Sequence, residues 1–277
     1  MAKYKKFIGL GIAGNFALHL NQAGEAKEFA HIITADEAAP KGMFPFYLPK
    51  LDTKNQLCIY PLGADNIRLP QNETLKVQAE PEVALICDLT YSVGKLSAIT
   101  PRYFGAYNDC SIRVDGAKKI SEKKNWGKES KGLSNQLIEI DSFVEGGVMD
   151  DYAICSFLKR DGKIYPYGED VELTGYSYFH QKLTDWMLNQ INTQLDADPL
   201  EPLSEYLMEC DNPKEAIISI GATRYTEFGE NTFLKSGDTC IIIVYDMQKY
   251  GSADILEMVE KSKYPSKNIS VLTQKVL

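Results

Sequence analysis

Glu80-Pro81-Glu82-Val83-Ala84-Leu85-Ile86-Cys87-Asp88 is the stretch on which the reading of the chain turns. Val83 to Cys87 are apolar without interruption, the pattern of a strand buried on both faces. Ahead of them Glu80 and Glu82 stand two residues apart, and side chains at i and i+2 of an extended backbone share a face. Pro81 favours extended geometry at Glu80 and removes a ladder donor, so this end of the strand is an edge or a mouth. Two carboxylates this close repel unless a positive group lies between them, and a divalent cation is a physically sensible partner. Alone, such a pair reads more simply as a solvated strand end. A second acidic segment, Tyr107-Asn108-Asp109-Cys110-Ser111-Ile112-Arg113, brings the metal reading forward.

Composition points to a small-molecule partner. The 277 residues, 44% of them hydrophobic, can bury a sizeable core as one large domain or as a small N-terminal unit on a larger one. With 38 acidic against 30 basic residues the net charge is −8, which opposes diffuse electrostatic binding to nucleic acid or to an anionic membrane. The cysteines (Cys58, Cys87, Cys110, Cys155, Cys210, Cys240) form no C-x-x-C pair and lie mostly in apolar contexts, as reduced core residues of a cytoplasmic protein do. The opening MAKYKKFIGLGIAGNFALHL imitates a signal peptide, but Gly11, Gly14, Asn15 and His19 break its apolar run. No run of about 18 apolar residues occurs, so no membrane-spanning helix is expected.

Outward from the decisive strand, residues 7–13 read as a short buried strand and 15–23 as a short helical or loop segment. Five prolines between residues 40 and 72 suit irregular strands and turns. Residues 96–108 are ambiguous between helix and loop. The polar stretch 115–131, with six lysines, reads as an exposed loop. Strands are expected at 136–143 and 152–159, with Asp161-Gly162 as a hairpin turn after the second. Phe179, Leu183, Trp186, Met187 and Ile191 recur at helical spacing and predict a helix over 178–194. A short helix around 203–208 and strands at 216–220 and 239–245 complete the reading. The count favours strands, so the fold class is α+β: a β-rich mixed sheet with few helices, residues 73–277 as the main domain and 1–72 as an N-terminal segment packing on it.

Other motifs fall in order around the acidic pair: GNFALH at 14–19, FPFYLPK at 44–50, Trp126 to Gly132, IISIGAT at 217–223 and FLKSGDTCIIIVYD at 233–246. With EPEVALICD and FGAYNDCSIR, this series resembles the fumarylacetoacetate hydrolase family, colinearly from about residue 7 to 246. The resemblance implies a β-roll and usually a homodimer. It implies Glu80, Glu82 and Asp109 as ligands of Mg2+, or of Mn2+ or Ca2+, with Arg113 supporting the acidic cluster. Such an ion prefers hard oxygen ligands and polarises a carbonyl as a Lewis acid. The implied substrate is a small 2-oxo or 1,3-dicarbonyl carboxylic acid, cleaved at a C–C bond by a hydrolase or lyase through a metal-stabilised enolate.

Lys131, with Lys128 as the competing assignment, would stabilise the developing negative charge. Asn15, Lys50, Gly221 and Thr223 would line the substrate. His19 matches the family's water-activating histidine, but Gln22 stands where a glutamate is expected, and an amide cannot stabilise an imidazolium as a carboxylate does. The family's Gly-Pro after the lysine segment is Asn135-Gln136-Leu137 here, and its G-T-P is Gly221-Ala222-Thr223. These departures leave open an isomerase, hydratase or decarboxylase, and a non-catalytic metabolite-binding relative.

Overall fold

The computed structural model describes every residue except 18, 26, 28, 30, 33, 35 and 51–54. Its strands are β1 (Ile8–Ala13), β2 (Gly42–Tyr47), β3 (Leu62–Gly63), β4 (Asn66–Ile67), β5 (Lys76–Gln78), β6 (Pro81–Ser92), β7 (Lys95–Asn108) and β8 (Ser111–Arg113). They continue with β9 (Lys131–Leu133), β10 (Ile138–Glu139), β11 (Tyr152–Arg160), β12 (Lys163–Glu172), β13 (Glu215–Ser219), β14 (Thr239–Asp246) and β15 (Ile269–Val276). The α-helices are α1 (His19–Gln22), α2 (His180–Thr193), α3 (Leu203–Glu209), α4 (Glu227–Glu230) and α5 (Ser252–Lys261).

The hairpin of β6 and β7 is the centre of the larger sheet, whose order is β2-β1-β13-β6-β7-β9-β3 with β10 against β7. A second sheet, β12-β11-β14-β15-β4, packs on β6 and β7. Alternate residues of VALIC serve two different cores. Val83, Leu85 and Cys87 join Phe104, Ile154, Ile242, Val244 and Leu272 in the largest core. Ala84 and Ile86 turn the other way, onto Phe46, Tyr107 and Ile217. An uninterrupted apolar run is what a strand covered on both sides requires. Past Cys87 the run gives way to alternation, with Asp88 and Thr90 exposed and Leu89 buried, as one face opens to solvent.

Helix α2 lays Leu183, Met187 and Ile191 into the same large core, as the spacing predicts. Asp161 (φ 51°) and Gly162 (φ 75°) are both left-handed, the backbone a two-residue hairpin turn needs between β11 and β12. The first 72 residues supply β1 and β2 to the larger sheet, β1 lying parallel to β13.

Three expectations are corrected. Residues 96–108 are neither helix nor loop but belong to the longest strand, β7. Pro101 faces Cys87 and Tyr103 faces Ile86, so Arg102 is an extra residue in a bulge that breaks the alternation a strand would otherwise show. Of the strand expected at 136–143, only Ile138–Glu139 pairs, with Phe104 and Tyr103. The lysine-rich stretch is not an exposed loop: it forms a 3-10 turn at Ile120–Lys123 and returns as β9, burying Lys123, Lys124 and Lys131. Lysine is buried only where acidic partners meet it, and those partners belong to the site described below.

One polar tie joins the second sheet to the hairpin's end. Gln274 of β15 is fully buried; it accepts from Asn108 Nδ2 at 3.1 Å and donates to the carbonyls of Gly63 (3.2 Å) and Asn66 (3.1 Å). Gly132 lets it come this close, since a Cβ there would stand 2.2 Å from Gln274 Oε1. Gln274→Leu is therefore expected to strand a buried amide and two carbonyls and to cost about 2–3 kcal/mol in urea unfolding; an unchanged midpoint would show that the tie contributes nothing.

Candidate metal centre

Antiparallel pairing brings the acidic residues together. Pro81 faces Asn108 and Glu82 faces Tyr107, so Glu80 before β6 and Asp109 after β7 are neighbours across the mouth of the hairpin. Asp109 N donates to Glu80 O at 2.9 Å, and Asn108 Oδ1 accepts from Glu80 N at 3.2 Å. Glu80, Glu82 and Asp109 are buried, and one oxygen from each lies within 4.8 Å of the others.

Basic groups surround this set. Lys124 Nζ lies 2.5 Å from Glu80 Oε2 and 2.7 Å from Asp109 Oδ2. Lys131 Nζ is 3.1 Å from Asp109 Oδ1 and donates to the Cys110 carbonyl at 2.6 Å. Arg113 reaches Glu80 Oε1 at 2.7 Å with one nitrogen and Glu25 Oε1 at 2.8 Å with another, while its Nε donates to Gln78 Oε1 at 2.7 Å. Lys123 closes an outer ring on Glu25 at 2.9 Å. The Asp109 oxygens and Glu80 Oε1 are at ion-pair distance from these cations yet make no hydrogen bond of good geometry among the described residues. Buried oxygens held by charge but not by directed donors are what a hard cation can still coordinate.

The two glutamates are driven apart electrostatically. Burial raises Glu80, but Lys124 and Arg113 together outweigh it and hold the carboxyl well below the ordinary range. Glu82 is raised well above that range by burial and then by the Asp109 charge, which Lys124 only partly offsets. Burial also lowers Lys131. Gly221, at φ 111°, turns its N–H onto Glu82 Oε2 at 3.2 Å. A Cβ at Gly221 would stand 3.0 Å from that of Asn15, so both backbone conformation and packing favour glycine there.

The structure gives the remaining expected residues specific places. His19 is buried with Nδ1 2.9 Å from the Thr223 carbonyl; a carbonyl only accepts, so Nδ1 carries the proton and Nε2 is left as the basic nitrogen. Burial holds this imidazole below its usual value. Gln22 does not hold the imidazole: its amide clasps the Tyr225 backbone, accepting from N at 2.9 Å and donating to O at 3.1 Å. Asn15 spends its amide on Tyr178 N and O and on Ile220 O. Thr223 N donates to Pro81 O at 3.2 Å. Lys50 is brought to a different place, exposed and 3.6 Å from Asp211. Lys128 is exposed, so of the two competing lysines it is Lys131 that stands at the cluster.

Sequence reasoning did not single out Lys124. Ile120 and Trp126, apolar residues inside a lysine run, are the signal that this segment packs rather than floats.

This architecture recurs in solved proteins. A fumarylacetoacetate hydrolase family protein from Yersinia pestis CO92 superposes with a TM-score of 0.51 at 12% identity, over 98% of this chain and 93% of that one. Maleylpyruvate hydrolase from Sphingobium sp. SYK-6 gives 0.52 at 10%, over 98% and 70%. 2-Keto-3-deoxy-D-arabinonate dehydratase, complexed with magnesium and 2,5-dioxopentanoate, gives 0.50 at 15%, over 98% and 72%. The likeness is one of fold: the chain has a fumarylacetoacetate hydrolase-like fold. Within it, the chain belongs to a family of unknown function, DUF5718, whose model matches residues 25–276. No curated protein sequence matches the chain. Among the described residues no helix is long and apolar enough to cross a membrane.

The turn that carries Lys123 and Lys124 is itself anchored to a buried acid. Ser121 Oγ donates to Glu201 Oε1, and Oε2 has no hydrogen bond among the described residues. Burial raises Glu201 to about 7, against the lowering effect of Ser121 and Lys119. The folded state then binds more protons than the unfolded one between about pH 4.5 and 7, so Glu201 subtracts stability as pH rises through that window. Glu201→Gln is expected to raise stability at pH 8 by about 3 kcal/mol and to leave it unchanged at pH 4; paired urea titrations at the two values check it, and an equal effect at both would refute the assignment.

Proposed function

We propose that the chain is a divalent-cation-dependent enzyme acting on a small 2-oxo or 1,3-dicarbonyl carboxylic acid. The observation that carries this reading is the convergence of Glu80, Glu82 and Asp109 on one buried point among Lys124, Lys131 and Arg113. Three hard oxygen donors fit Mg2+, Mn2+ or Ca2+. A bound ion would polarise the substrate carbonyl as a Lewis acid. Support also comes from the fold, which one solved protein uses with magnesium and an oxo acid.

The chain's own groups supply the rest. Lys131, fixed by Cys110 O and Asp109, offers positive charge at a point where the substrate's developing negative charge needs it. Arg113 keeps Glu80 ionised and oriented as a ligand. His19, neutral and with Nε2 outside the Thr223 bond, would take or return one proton.

Its partner favours some reactions over others. A carbonyl on Nδ1 fixes the tautomer but stabilises an imidazolium far less than a carboxylate does, and Gln22 is committed to Tyr225. Steps that ask for no activated water, namely dehydration, isomerisation, decarboxylation or non-hydrolytic C–C cleavage, suit this histidine better than hydrolysis.

The test is a panel of acylpyruvates, oxaloacetate and 2-oxo-3-deoxy acids turned over with Mg2+ or Mn2+, for the natural chain and Glu82→Gln. Turnover is expected with the natural chain alone, together with a Mn2+ affinity at least a hundredfold weaker in the variant. Equal Mn2+ affinity in both proteins, or no product from any acid, would overturn the reading.

A further inference from the structure

All four oxygens of Glu80 and Asp109 already have a cationic neighbour. Glu80 Oε1 faces Arg113 and Oε2 faces Lys124; Asp109 Oδ1 faces Lys131 and Oδ2 faces Lys124. Lys124 is the one cation of the three that touches both carboxylates. Its ammonium, 2.5 and 2.7 Å from them, thus lies where an ion bridging these residues would compete for the same oxygens.

The three cations are not held alike. Arg113 is fixed from several sides, by Gln78, Glu25 and the Tyr225 hydroxyl as well as Glu80. Lys131 is anchored by a backbone carbonyl. Among the described residues, the Lys124 ammonium meets the two carboxylates and the face of Phe44, 5.1 Å away. Its backbone is set at the end of the 3-10 turn, where its N–H meets Ser121 O at 3.0 Å, while four methylenes separate the charge from that anchor.

Resting on the cation-dependent reading above, we propose that the Lys124 ammonium is a built-in occupant of the metal position, which a divalent ion must displace in order to bind. Without the ion, Lys124 keeps Glu80 and Asp109 together in a buried site that would otherwise push them apart. With the ion bound, the ammonium leaves both carboxylates. Because its backbone stays fixed, the freed charge remains within one side-chain length of the site, where an anionic substrate brings the negative group it then needs. Cation and substrate binding are coupled through this one side chain.

The experiment measures Mn2+ affinity by electron paramagnetic resonance of the free ion, for the natural chain, Lys124→Met and Lys124→Arg, with melting temperatures in EDTA and in excess Mn2+. Lys124→Met should bind Mn2+ at least tenfold more tightly than the natural chain, whereas Lys124→Arg should not. In EDTA, Lys124→Met should melt lower than the natural chain, and Mn2+ should raise its melting temperature by the larger amount. Should Lys124→Met fail to fold in EDTA, recovery of the folded state by Mn2+ supports the exchange and failure to recover overturns it. A folded Lys124→Met with unchanged or weaker Mn2+ affinity also overturns it, and leaves the metal reading intact if the natural chain binds Mn2+. If Mn2+ binds Lys124→Met alone, the occupant stands and cation dependence of the natural chain falls. If it binds none of the three, both ideas fall.

Discussion

Three carboxylates cannot be taken out of water side by side unless a proton or other positive charge goes with them, and much of this molecule is arranged around that constraint. Glu80, Glu82 and Asp109 share a buried point, Lys124 and Lys131 are buried with them, and Arg113 is partly buried beside them. A second ring, Glu25 and Lys123, then balances Arg113 and holds the lysine turn against the cluster. Burial of a lone charge would cost far more than any single contact here returns, so the groups stand or fall as a network. That is why the stretch from Ile120 to Leu133 folds inward even though its composition is that of a solvated loop.

The scaffold's contribution is to make the approach of the acids unavoidable. Pairing of β6 with β7 puts Glu80 opposite Asp109 through a backbone bond, and β15 locks the corner through Gln274 and Asn108. Register errors are disfavoured, because Val83 and Ala84 belong to different cores and a one-residue slip would exchange them. The geometry of the site is therefore inherited from the hydrophobic patterning of one strand.

Much of this was legible in the sequence, and what was not has identifiable causes. VALIC, the α2 periodicity and the Asp-Gly hairpin are local patterns with a single structural solution each. Glu80, Glu82 and Asp109 were found because two segments matched a known order of motifs, not because spacing could reveal their contact across the sheet. β7 was obscured by Pro101 and a bulged Arg102, which break its alternation. Lys124 was invisible for a different reason: local sequence marks a lysine run as polar, and only the three-dimensional placement of Glu80 and Asp109 turns it inward. Gln274 lies beyond the motif series, and its partners Asn108, Gly63 and Asn66 are more than 160 residues away.

The expected substrate wall has a different character from its motif. Asn15 and Gln22 use their side-chain amides to hold backbone, Asn15 at Tyr178 and Ile220 and Gln22 at Tyr225, while Thr223 meets the Pro81 carbonyl through its N–H and the His19 imidazole through its own carbonyl. Residues bonded in this way position others and have little capacity left for a ligand. The reactive groups are then few, namely the His19 imidazole, the Lys131 and Lys124 ammoniums and the three carboxylates. On the reading proposed above, a site whose neutral base bonds a carbonyl and whose cations are matched to its acids would hold an anion and stabilise negative charge on it once a divalent ion adds to that charge. On the function proposed above, activating water would be the harder task for these residues, and the chemistry they would suit is rearrangement or elimination beside a polarised carbonyl.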